Sequence, residues 1–156
     1  MTNMNSAGKS QVIALEAGEG RLVAGPEGIM LKATSLETAG SMGLFEATSA
    51  PGFGPPQHVH DAADEWFYIL EGEVQFLVGN QTFHRSAGGF VFIPRGTVHA
   101  PKILGDSPAH LLCGFVPGGN ELSFEKFAAL GKDGMTESAI KAIAADHQSR
   151  FVGPPL

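Results

Sequence analysis

Short apolar runs broken by glycine and proline turns fill the first three quarters of the chain, and two stretches of helical spacing follow. Residues 11–16, 29–36, 41–48, 65–70, 73–78, 81–84, 90–93, 99–104 and 110–116 predict strands. Turns are signalled by Gly18-Glu19-Gly20, Pro26-Glu27-Gly28, the bend at 51–56, Glu71-Gly72 and Gly88-Gly89. Gly79-Asn80 lies between two apolar runs and predicts a tight hairpin. Alternate side chains of a strand point to opposite faces. Glu65, Phe67 and Ile69 therefore share one face, and Trp66, Tyr68 and Leu70 the other. Both faces are apolar, so both need cover.

Past Pro117-Gly118-Gly119 the spacing changes. Asn120 is placed to cap a helix over 121–130 that stops at Gly131. A second helix is expected from Thr136 through His147, with Ile140, Ile143 and Ala144 as its buried stripe. The expected organisation is a loose segment over 1–10, a β-barrel over 11–119 and a helical extension over 120–156.

At 156 residues and 43% hydrophobic content the chain suits one domain with a real core. Its net charge is −6 and it has no cluster of lysine or arginine, which argues against nucleic acid as a partner. Cys113 is the only cysteine, so no intrachain disulfide can form. The apolar run at 12–15 is far too short for a signal peptide, and no run approaches the ~20 residues of a membrane span. A cytoplasmic protein without membrane contact is expected.

The chemistry concentrates in one place. His58 and His60 stand two apart, so on a strand both imidazoles point to one face, ~6.6 Å apart along the chain. Glu65 follows five residues later. His99 comes after a sharp turn, Pro94-Arg95-Gly96-Thr97-Val98. Three imidazoles and one carboxylate make a believable ligand set for one divalent cation, with Fe, Mn, Ni, Co, Cu and Zn all open. Phe45, Phe67, Ile69, Phe76, Val78 and Phe92 are candidate walls of an apolar pocket, and His110 falls in a late strand from which it can line the barrel. The remaining histidines, His84 and His147, read as a solvated strand residue and a helix-end residue.

These motifs resemble those of the cupins. Gly52, His58, His60, Glu65 and Gly72 follow the spacing of the first cupin motif, and Gly88, Pro94, Gly96 and His99 that of the second. The asparagine that closes the second motif is replaced by Ile103. The resemblance implies an all-β jelly-roll barrel, here with two C-terminal helices. It also implies a metal held by His58, His60, Glu65 and His99, with Glu65 able to loosen and take a proton, as in the quercetin-cleaving members. The leading expectation is a metal-dependent dioxygenase acting on a small aromatic or flavonol-like substrate. Two other readings stay open: a non-oxidative isomerase, lyase or decarboxylase, and a small-molecule-binding cupin without catalysis. The doubly apolar strand around Glu65 makes a homodimer the expected assembly.

Overall fold

Alternating burial along the strands closes the chain into two antiparallel sheets. The computed structural model describes residues 8–23 and 28–156. In chain order the strands are β1 (Arg21–Val23), β2 (Ile29–Ala33), β3 (Gly43–Ser49), β4 (His58–His60), β5 (Asp64–Glu71) and β6 (Glu73–Val78). They continue with β7 (Gln81–Ser86), β8 (Phe90–Ile93), β9 (His99–Leu104), β10 (Ala109–Val116) and β11 (Ser149–Phe151). One sheet has the order β1-β2-β3-β10-β5-β8 and the other β11-β4-β9-β6-β7. This is the jelly roll of the cupins, followed by α1 (Ser123–Gly134) and α2 (Glu137–Asp146).

The inner faces make one core. Phe45, Phe67, Ile69, Val74, Phe76, Ile93, Ile103 and Phe115 are all buried in it. In β5 the alternation puts Glu65, Phe67 and Ile69 inside and leaves Tyr68 and Leu70 outside. The hairpin at Gly79-Asn80 joins β6 to β7 in the register Val78↔Gln81. Gly72 ends β5 at φ 85°, and a Cβ there would come within 2.8 Å of Ala109. Both facts favour glycine at that position. Ile103 buries its side chain and uses its backbone to fix the first motif loop. Its N–H donates to Phe53 O (2.8 Å), and its carbonyl accepts from Gly52 N–H (2.9 Å).

Several elements differ from the sequence reading. Residues 11–16 form no strand. The sheet edge beside β2 is taken by β1, and the earlier segment, exposed along its length, borders an open cleft with Lys32, Leu44, Glu46 and Leu112 of β2, β3 and β10. The strand expected to reach residue 36 stops at Ala33. There the Glu37 carboxylate accepts the Thr34 N–H (2.9 Å) and hydroxyl (2.8 Å) and turns the chain. The expected loose segment lies, up to residue 7, outside the described residues, as do Pro26 and Glu27.

The C-terminal part also departs in detail. A 3-10 turn over Asn120–Leu122 precedes α1, and α1 is broken at Gly131, where φ is 61°. The second helix is capped as expected, with Thr136 Oγ1 accepting from Ala139 N–H at 3.2 Å. Asn120 caps nothing; its side chain turns toward Ser149. Glu121 is fully buried, and its carboxylate accepts from Ser35 N–H and Gly119 N–H, both at 2.6 Å. That double bond pins the 34–42 turn region to the start of the extension. Beyond α2 the chain forms β11, which pairs with β4 and becomes part of the barrel wall. No described helix is long and apolar enough to cross a membrane.

Candidate metal centre

Two strands of the five-stranded sheet and one of the other bring four side chains together. His58 and His60 come from β4, His99 from β9 and Glu65 from β5. His58 and His99 are direct register partners, with ring centroids 4.2 Å apart. Glu65 reaches across the barrel, and its Oε2 lies 2.8 Å from His99 Nε2 and 3.1 Å from His60 Nε2. One donor atom from each of the four residues falls within 4.8 Å of the others. The second-motif loop is tied to the same strand, because Gly96 N–H donates to His60 O at 2.8 Å.

The hydrogen bonds around the rings settle which nitrogen faces inward. His58 Nδ1 lies 2.8 Å from Pro56 O, and His99 Nδ1 lies 2.9 Å from Thr97 O. A carbonyl only accepts, so each Nδ1 carries a proton and each Nε2 is left for the centre. His60 Nδ1 lies 2.7 Å from Ser149 Oγ, whose own proton goes to Asn120 Oδ1 at 2.6 Å. The hydroxyl therefore accepts from His60, and its Nε2 also faces inward. His60 Nε2 is buried and has no hydrogen-bond partner.

Charge follows the same pattern. Burial alone would raise the Glu65 carboxyl, but His60 and His99 outweigh it and hold it well below the usual carboxylate range. Burial, with His99 beside it, pushes His58 down to about 4. Burial also lowers His99, yet its bond to Glu65 and that group's charge raise it above the ordinary histidine value. An ionised carboxylate thus faces inward-directed imidazole nitrogens in a buried space. His99 Nε2 meets that carboxylate in a hydrogen bond, but His60 Nε2 has none, and a bare lone pair directed at a carboxylate is repulsive unless a cation stands between them. The donor set fits a divalent metal, and each ring has the outer hydrogen bond that metal-ligating histidines characteristically make.

The candidate pocket residues divide. Phe67 and Phe76 pack at 5.1 Å between ring centroids, and Ile69 lies beside them in the core. Phe45 is buried against Phe115 (5.6 Å) and Phe124 (4.8 Å). Phe92 belongs to the outer face. It pairs with Trp66, is 51% exposed and cannot line the interior, because β8 buries Val91 and Ile93 instead. His110 is also on the outer face, where Nε2 meets Glu46 Oε2 at 3.0 Å. Glu46 bonds Lys32 as well, so His110 belongs to a surface charge cluster.

Four residues near the centre were missed in the sequence. Phe115 stands 5.0 Å from the His60 ring, and Phe151 6.2 Å from the His58 ring. Ser149 and Asn120 hold His60 from behind. The only local signal for the C-terminal pair is Ser149-Arg150-Phe151 before Gly153-Pro154-Pro155, a run too short to read as a strand.

Comparison with known proteins places the fold. Residues 45–115 match the family model described as "Cupin domain". This chain belongs to the cupin superfamily. Over 131 residues it is 35% identical to germin-like protein subfamily 2 member 2 of Arabidopsis thaliana, covering 79% of this chain and 58% of that one. Over 90 residues it is 31% identical to quercetin 2,3-dioxygenase of Bacillus subtilis, covering 57% of this chain and 27% of that enzyme. The chain thus spans about half or less of the length of these two relatives. A solved structure from Thermus thermophilus is 29% identical, with a TM-score of 0.54 over 61% of this cupin and 90% of its own chain.

Proposed function

We propose that this cupin is a divalent-metal-dependent dioxygenase of small aromatic, flavonol-like substrates, with the cation held by His58, His60, Glu65 and His99. The observation that carries the proposal is the inward set of imidazole nitrogens around one ionised carboxylate. Three neutral imidazoles and one carboxylate leave a divalent cation one net positive charge, which suits an anionic oxygen donor such as a phenolate. When bound, a redox-active metal supplies Lewis acidity and a meeting point for substrate and dioxygen. The similarity to a quercetin dioxygenase supports the reading over the part that aligns.

The chain's own residues do the rest. Pro56 O, Thr97 O and Ser149 Oγ keep the three imidazoles oriented as donors. Glu65 enters as an ionised ligand, and its Oε2 is the proton acceptor when a substrate hydroxyl approaches. Phe45, Phe67, Ile69, Phe76 and Phe115 are buried in the core that adjoins the centre, and their apolar packing excludes water from that side, which strengthens the charge interactions there.

The test is metal analysis followed by oxygen uptake. Untagged protein purified without chelator is expected to carry about one equivalent of iron, manganese, copper, nickel or cobalt. Addition of a flavonol or catechol panel to the loaded protein is expected to start oxygen consumption. No uptake across the panel at full metal occupancy would overturn the proposal. Turnover of a keto or hydroxy acid by the zinc-loaded protein would move the activity to a non-oxidative isomerase, lyase or decarboxylase.

We also infer that the working form is a homodimer joined through the outer face of the six-stranded sheet. Its support is the row of half-exposed Tyr68, Leu70, Phe90 and Phe92 on the adjacent strands β5 and β8.

A further inference from the structure

The three imidazoles of the centre are not held in the same way. His58 and His99 each bond a backbone carbonyl two residues before them, Pro56 O and Thr97 O. Their orientation is built into their own loops. His60 bonds a side chain 89 residues away, the hydroxyl of Ser149. Ser149 stands opposite His60 in the β4·β11 register, with Arg150 opposite Val59 and Phe151 opposite His58.

That register is fixed from both ends. Asp61 N–H donates to Gln148 O at 2.8 Å, and the Asp61 carboxylate takes the Arg150 guanidinium through contacts of 3.0 and 3.1 Å. On the other side Val152 N–H donates to Gln57 O at 2.8 Å. The hydroxyl proton is also accounted for. Asn120 Oδ1 takes it at 2.6 Å, with His147 O as a longer acceptor at 3.3 Å. Asn120 is buried at 6% exposure, and its backbone carbonyl is occupied by the Ser123 hydroxyl at 2.7 Å.

We propose that Ser149, oriented by Asn120, is a positioning residue that fixes His60 with Nδ1 protonated and Nε2 directed at the metal. The C-terminal extension thereby becomes part of the metal centre. The inference rests on the metal reading given above. A serine hydroxyl has one proton and can serve His60 in either sense. With its proton committed to Asn120, it serves only as an acceptor. Without Asn120 it is free to donate to Nδ1, which places the imidazole proton on Nε2, where it blocks the metal. Outer hydrogen bonds of this kind change metal affinity by ~10–100-fold when removed.

The test is the dissociation constant for Zn²⁺ and Co²⁺, measured by chelator competition on the full-length protein. Ser149→Ala is expected to weaken both ions by about 10–100-fold, and Ser149→Thr, which keeps a hydroxyl, to stay near the parent value. Asn120→Ala is expected to weaken them as well, and Asn120→Asp, which keeps the acceptor oxygen, to restore binding. Chemical shifts of the Zn²⁺-saturated protein give a readout that general destabilisation does not move. The His60 Nδ1 proton is expected to be hydrogen-bonded and slow to exchange in the parent and in Ser149→Thr, and to move upfield and exchange faster in Ser149→Ala. Parent-like affinity in both alanine variants, or an unchanged His60 Nδ1 proton in Ser149→Ala, would overturn the role of Ser149 and leave the metal reading standing. A parent protein that binds neither ion would overturn the metal reading itself.

Discussion

His58 and His99 are cross-strand partners, their rings 4.2 Å apart between centroids, although 41 positions separate them in the chain. The pairing brings the two sequence motifs into one site. It also means that each of the four side chains rests on a strand held by other residues. His99→Ala and His60→Ala are therefore expected to lower bound metal from about one equivalent to a small fraction, by more than the ~10–100-fold of an outer-contact change. Far-UV circular dichroism is expected to stay that of a β-barrel. Full metal content in both variants would exclude these residues as ligands.

Metal removal is expected to lower stability. The four donors converge only in the folded chain, so a cation binds the native state and not the unfolded one. At a free metal concentration 100 times the dissociation constant, the gain is about 2.7 kcal/mol. Thermal melts with and without chelator measure it, and Tm is expected to rise with free metal concentration. A Tm independent of metal would count against a site preorganised in the barrel.

Glu65→Gln separates charge from shape. The amide keeps the volume of a carboxyl that is 5% exposed but removes the negative charge held against His60 and His99. Metal affinity is expected to fall, and oxygen uptake to vanish even when metal is supplied to saturation. Undiminished turnover at saturation would show that Glu65 takes no proton and serves only as a ligand.

The barrel and the convergence of the four side chains were legible because both depend on local spacing. His58 and His60 share a face by strand parity, and Pro94 and Gly96 announce the loop that returns His99. The parity of β5 also put Glu65 inside correctly. Phe92 and His110 failed for a related reason. Parity gives two classes of position along one strand but does not say which class faces the core, and β8 and β10 have apolar residues in both classes. Residues 11–16 failed because an apolar run does not announce whether a sheet edge is still free. Ser149 and Asn120 were illegible because their contact joins three short elements across the whole barrel, and no periodic pattern marks a three-residue strand.

Gly114 on β10 lies under Trp66 on β5 and is its register partner. A Cβ at this position would meet the indole at 2.6 Å. Gly114→Ala is expected to displace the ring and cost about 1–3 kcal/mol, as overpacking does. Trp66 is the only tryptophan, so its fluorescence reports the shift without ambiguity. Metal affinity is expected to hold, since Gly114 and Trp66 belong to the outer side of the sheet. An unchanged spectrum with unchanged stability would mean that the ring relaxes at no cost.

The same outer face carries the expected assembly. Phe90 and Phe92 are 55% and 51% exposed, and Tyr68 and Leu70 are 40% and 37% exposed. An aromatic side chain contributes ~150–250 Å² when covered, so this patch offers on the order of 300 Å² per protomer. A stable pair needs about 800 Å² from each partner. The remainder is expected from the N-terminal segment that borders the same sheet, whose Val12 is 97% exposed. A twofold pair would set the same patch of each copy against its mate, as isologous dimers do. Light scattering after size exclusion is expected to give twice the chain mass of 16.3 kDa. Phe92→Asp and Val12→Asp each place a charge in that contact and are expected to shift the protein to monomer with metal content unchanged. A parent protein that is monomeric at every concentration tested would remove the dimer. A dimer indifferent to both substitutions would place the contact on another face.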